Sequence, residues 1–170
     1  IGPHILTQDD ITSGGKFPDV VAYGGWTLDN HDPEAFHKKG RISVEYVAPK
    51  CYGIPFDCMY SINVPNLMFA GRDISATHMA LSSTRVMATC ALIGQAVGTA
   101  AAIGLENNIL PADVRKDYIS LLQSKLEDDD VMLPHRWRTP SSLTISAKMS
   151  DSLQVLRNGI DRKWDGVDNG

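Results

Sequence analysis

The chain has 170 residues, enough for an ordinary domain with a real core and too few for a large multidomain enzyme. Hydrophobic residues make up 43% and charged residues 21%, which excludes a disordered or collagen-like chain. Sixteen Lys and Arg against twenty Asp and Glu give a formal charge of −4, and no basic block stands out to bind nucleic acid.

The first eighteen residues are mixed and polar, with Ser13-Gly14-Gly15 as a turn. Asp19 to Tyr23 reads as a short buried strand that ends at Gly24-Gly25, and residues 26–33 read as a loop rich in turn formers. Arg41 to Val47 alternates polar and apolar, which predicts a half-exposed strand. Tyr52, Ile54 and Phe56 repeat the alternation after Pro49, so the two segments are expected to pair antiparallel.

The run Asn66 to Gly71 is apolar and short, as expected of a strand buried on both faces. A polar loop follows from Arg72 to Arg85. Residues 86–105 then carry no charge and are rich in Ala and Gly. A membrane span would fit that length, but large apolar side chains are few. The small residues fit a helix pressed closely against a sheet or another helix, and no transmembrane segment is expected. Asp113 to Leu126 predicts one amphipathic helix with Asp113 as N-cap, stopped by Asp128-Asp129-Asp130. That acidic run lacks the spacing of a calcium loop and reads as a solvated turn. After Pro134 the chain turns Ser/Thr-rich, and residues 141–147 read as β-like.

Residue 1 is Ile and residues 164–170 have turn-forming composition, so the sequence is expected to be a piece of a longer polypeptide. Missing targeting signals then assign no compartment. The three cysteines are odd in number and far apart, which excludes a disulfide framework as the main source of stability. They have no metal-type spacing either. Cys90 reads as a small packed residue, and a redox pair of Cys51 and Cys58 is the weaker reading of those two.

The order of apolar run, glycine exit, polar stretch and small-residue helix points to a ligand site in the 71–87 region. In open α/β sheets ligands gather at the carboxyl ends of strands, and a helix start presents unpaired N–H groups. In and around it, Asn66 to His78, Ser83 to Cys90 and Gly94 to Ala102 closely resemble the C-terminal flavin-binding segment of FAD-dependent oxidoreductases of the xanthan-lyase-like type. Gly24-Gly25-Trp26-x-x-Asp29-x-His31-Asp32-Pro33, Tyr52 to Phe56, and Leu122-Gln123-x-x-Leu126 with Leu133-Pro134 resemble flanking segments of that family.

The resemblance covers roughly residues 8 to 134 and implies an α/β glutathione-reductase-like FAD domain, α+β as a fragment, with antiparallel substrate-region strands. Residues 1–65 would be the substrate region, 66–134 the C-terminal part of the FAD domain, and 135–170 the start of a separate β domain. No G-x-G-x-x-G occurs anywhere in the chain, so the dinucleotide-binding portion is expected from the missing N-terminal part of the same polypeptide.

The resemblance also implies a site. Gly71, Arg72 and Asp73 would meet the ribityl and phosphate portion of FAD. Arg85, Val86 and Met87 would open the helix that faces the pyrimidine edge of the flavin, where reduced flavin carries negative charge. His78 and His31 would face a small-molecule substrate as catalytic groups. Each has a plainer reading. His78 would fix a loop by hydrogen bonding, His31 would cap a turn beside Asp29 and Asp32, and Arg72 and Arg85 would form structural ion pairs. A different class of function rests on the tail, where Asn158-Gly159-x-Asp161-x-x-x-Trp164 resembles the start of a galactose-binding sandwich. That would make the chain a non-catalytic carbohydrate-binding or assembly module.

Overall fold

The computed structural model describes residues 1–37, 39–47, 50–136 and 142–146. It contains helices and two small antiparallel sheets, an α+β arrangement. The first helix, α1 (Gln8–Thr12), is only five residues long and is held by its cap. Thr7 Oγ1 accepts the Asp10 N–H at 3.2 Å, and the Asp10 carboxylate accepts the Thr7 N–H at 2.8 Å. Orphan donors at the helix start are thereby satisfied from both sides.

Strand β1 (Val20–Gly24) pairs antiparallel with β4 (Tyr52–Pro55), while β2 (Leu28–His31) pairs antiparallel with β3 (Ser43–Tyr46). The two segments expected to pair with each other therefore each take an earlier partner. The turn-forming Asp29-Asn30-His31 is a strand, because a cross-strand partner overrides weak local propensity. Strand β4 is buried along its whole length, and β3 is nearly all exposed.

The expected strand at 66–71 does not form. Tyr60 and Met68 make an isolated bridge, with Phe69 N–H donating to Met59 O at 2.7 Å. No described strand lies on its other side, so the apolar run has no ladder to join and Leu67 is 44% exposed.

The stretch expected as a polar loop contains α2 (His78–Thr84), capped by Thr77. The uncharged segment is α3 (Met87–Asn107), closed by Asn108 in the left-handed conformation. Its small residues divide between two faces. Ala96 and Ala100 are buried with Ile93 and Ile103, and α3 packs on β1 through this side. Short side chains let the helix approach the sheet closely, while each buried Ile contributes about 1.5–3 kcal/mol. Gly94 and Gly98 face open space. By length and composition α3 could also cross a membrane.

The single helix expected over 113–126 is two, α4 (Pro111–Asp117) and α5 (Ile119–Asp128). The joint is Tyr118, whose φ of −123° and ψ of 10° leave the helical range. The cap is Leu110 rather than Asp113. Asp113 sits in the first turn and reaches back to accept the Leu110 N–H at 3.1 Å. Leu121, expected on the apolar side, is 41% exposed, because the break rotates α5 relative to the stripe drawn across both helices. Residues 142–146 form a one-turn helix, α6 (Ser142–Ser146), not a strand. The galactose-binding-like motif at 158–164 lies outside the described residues.

Two polar clusters tie the layers together. Arg115 on α4 places Nε 2.9 Å from Asp57 Oδ1 and 3.0 Å from Asp19 Oδ2. Asp19 also accepts the Asp57 N–H at 3.0 Å. Burial pushes the Asp19 carboxyl above its usual range, and the attraction of Arg115 offsets that only in part. Gln123 on α5 is the second staple. Its Nε2 donates to the carbonyls of Pro18 and Val20, both at 3.0 Å, and its Oε1 accepts from Arg136 at 2.7 Å.

Candidate functional site

The expected site residues fall into two neighbouring groups joined by the short connection between α2 and α3. The first group is the turn Gly71–Asp73 and the start of α3. Gly71 has φ of +65°, a conformation L side chains adopt only at a cost. A Cβ placed there would meet only Cys90 at 3.9 Å, so the turn lies against the first turn of α3 with its outer side open. Arg72 and Asp73 are both exposed. The Cys90 thiol is pushed up by burial, against an opposing pull from the Arg72 guanidinium. Val86, the N-cap of α3, supplies no side-chain acceptor, and Met87 is 89% exposed. The first amides of a twenty-one-residue helix therefore emerge uncapped beside the Gly71 turn.

The second group is β2 against α2. Asp29 Oδ2 lies 2.8 Å from His31 Nε2. Asp29 also takes the Arg85 guanidinium, with Nη2 3.0 Å from its carbonyl oxygen and 3.1 Å from Oδ2. On the neighbouring residue, Asn30 Oδ1 lies 2.9 Å from Nε2 of His78. His78 is the first residue of α2 and not a loop residue. Ser83 Oγ lies 2.5 Å from the Trp26 carbonyl and 2.7 Å from the buried Tyr52 hydroxyl, whose pKa burial pushes up to about 12. His78 and the C-cap Arg85 thus tie the seven-residue α2 to β2, while Ser83 ties it to the Trp26 carbonyl and to Tyr52 on β4.

Both histidines meet consecutive residues of β2, and Arg85 meets the same strand. Gly71, Arg72 and Asp73 group with the opening of α3 at Met87, while Arg85 and Val86 form the connection between the groups. Asn30 is the residue that sequence reasoning missed. Its partner lies 48 positions away, and no local pattern marks such a pair. The nearness of His31 to Asp29 was legible from their adjacency in the chain, though as a turn; the structure shows them two apart on a strand, where they share a face.

A groove lies elsewhere. It measures about 410 Å³ and is lined by Asn66, Met68, Ala101, Leu105 and Leu110 among others, at the far end of α3. No ionisable side chain lines it, so it offers shape but no proton chemistry. The cysteines form no disulfide among the described residues, and Cys58 is fully buried with its thiol pushed up to about 12.

The family of FAD dependent oxidoreductases matches residues 1–126. That span contains both groups of the site, and the chain belongs to this family. No curated protein and no solved structure matches the chain. The family is one of redox enzymes and its cofactor is FAD. The residues present suit such a cofactor, since a glycine turn without a side chain, an exposed guanidinium and a row of uncapped amides offer close approach and donors to an electron-rich group.

Proposed function

We propose that this chain is the C-terminal, flavin-facing portion of a xanthan-lyase-like FAD oxidoreductase with a glutathione-reductase-like FAD domain. The carrying observation is the uncapped start of α3 beside the Gly71 turn. Gly71, Arg72 and Asp73 would hold the ribityl and phosphate portion. The amides opened by Val86 and Met87 would face the pyrimidine edge, with Arg85 behind them. FAD, when bound, supplies two-electron redox chemistry. The glycine fingerprint for the pyrophosphate would come from another part of the same polypeptide, since the chain contains none.

The chain's own residues would then do three things. The Gly71 turn and α3 orient the cofactor, the β2–α2 unit forms the substrate side, and His31 and His78 hold or move the substrate proton. The substrate would be a small organic molecule, carbohydrate-related by the resemblance. The regions 1–65 and 66–134 would serve as substrate region and FAD-domain part, respectively.

Met87→Asp tests the placement in the complete flavoprotein. A carboxylate in the first turn stabilises a helix by about 0.3–1 kcal/mol, so the fold should survive. The same charge would face the bound cofactor, and FAD affinity should fall by about tenfold or more, or ~1.4 kcal/mol. Binding would be read by titrating apoprotein against the flavin absorption band. A folded Met87→Asp protein that binds FAD as tightly as the parent overturns this placement of the flavin.

A further inference from the structure

The geometry points to β2 as a strap that sets which ring nitrogen each histidine offers. Asp29 and Asn30 each accept a hydrogen bond from an Nε2–H, so that His31 and His78 both present Nδ1 as the proton-accepting atom. The role of Nδ1 toward substrate rests on the flavin-side reading above. The hydrogen-bond assignment does not.

The argument is one of donor and acceptor inventory. A carboxylate has no proton to give, and an amide oxygen likewise only accepts. At 2.8 Å from Asp29 Oδ2, His31 Nε2 must be the donor. At 2.9 Å from Asn30 Oδ1, His78 Nε2 must be the donor as well. In a neutral imidazole one nitrogen carries the proton and the other the lone pair, so both free lone pairs lie on Nδ1. His31 is 52% exposed and His78 is exposed, so both rings reach solvent.

Arg85 completes the device. Its Nη2 holds the Asp29 carbonyl and carboxylate together, which fixes the carboxylate against rotation. The guanidinium also balances the charge that the ring would otherwise face alone. Arg85 follows α2 directly and precedes the N-cap of α3. The ion pair that was the plainer reading of Arg85 is thus made with Asp29. Asp29, Asn30 and Arg85 are positioning residues, acting on reactants only through the two rings.

Alkylation regiochemistry tests this on the chain itself. An exposed imidazole reacts with iodoacetate mainly at the less hindered Nε2, and His37 on its exposed turn supplies that reference. His31 and His78 should instead be carboxymethylated at Nδ1, as read by peptide mass spectrometry with chromatographic separation of the two isomers. Asp29→Ala should lower the Nδ1-to-Nε2 product ratio at residue 31 by about tenfold, the size of one hydrogen bond to a charged group, and leave residue 78 unchanged. Asn30→Ala should do the reverse.

Asp29→Asn and Asn30→Asp keep an acceptor oxygen in place and should keep the parent pattern. Nε2 products at both residues in the parent chain overturn the proposal without recourse to any variant. So does an Nδ1 pattern that survives both alanine substitutions. Neither outcome depends on FAD, so failure of the strap and failure of the Met87→Asp test can be told apart.

Discussion

Asp10 shows how much a single side chain can carry in a short element. Five residues make no stable helix by themselves. Burial disfavours the Asp10 carboxylate, but hydrogen bonds from the Thr7 backbone and hydroxyl, together with His4, hold its pKa below the ordinary 3.8. A depressed acid stabilises the fold above its unfolded-state pKa, and that contribution is lost as the pH falls through the folded value. Asp10→Asn should therefore be less stable than the parent near neutrality, by about 1 kcal/mol as for other lost caps. The gap should close on acidification below pH 3.8. Urea denaturation of both proteins across that range checks it.

At the scale of elements, the joints matter more than the helices they connect. Gln123 is buried on α5 and spends both amide protons on carbonyls at the start of β1. Gln123→Ala would leave two carbonyl groups and one Arg136 donor without their partner. The expected loss is about 1–3 kcal/mol, seen as a fall in Tm of about 2–4 °C per kcal/mol. Local pattern reading found β1, β3 and α3, because each carries an unambiguous run of apolar, alternating or small residues. It drew α4 and α5 as one helix because the apolar spacing continues across Tyr118. It missed β2, whose Asp29-Asn30-His31 are turn formers held extended only by pairing with β3. It turned residues 66–71 into a strand because an apolar run says nothing of whether a second partner exists. The site was legible to the same degree. The Gly71 turn and the α3 start stood out as chemistry, whereas the Asn30–His78 pair is a product of the fold alone.

Across the whole molecule, the family match from residue 1 to 126 takes in every link between β2 and α2 and both ends of α3. The matched residues therefore include both groups of the candidate site. β1 and α3 form the molecule's spine, and the two histidines sit on a short strand and a short helix leaning against each other. The seven-residue α2 has too few internal hydrogen bonds to persist alone. It is kept in place by Asn30, Asp29, Trp26 and Tyr52. If those links fail, strand and helix should come apart in a single opening event. Amide hydrogen exchange should then report one shared opening free energy for β2 and α2, below that of α3. Exchange of α2 independent of β2 would contradict it. An excursion of this kind would free His78 from Asn30 and Arg85 from Asp29 in one step, so the contacts that bridge strand and helix would be kept or lost as a set, with no half-fastened form in between.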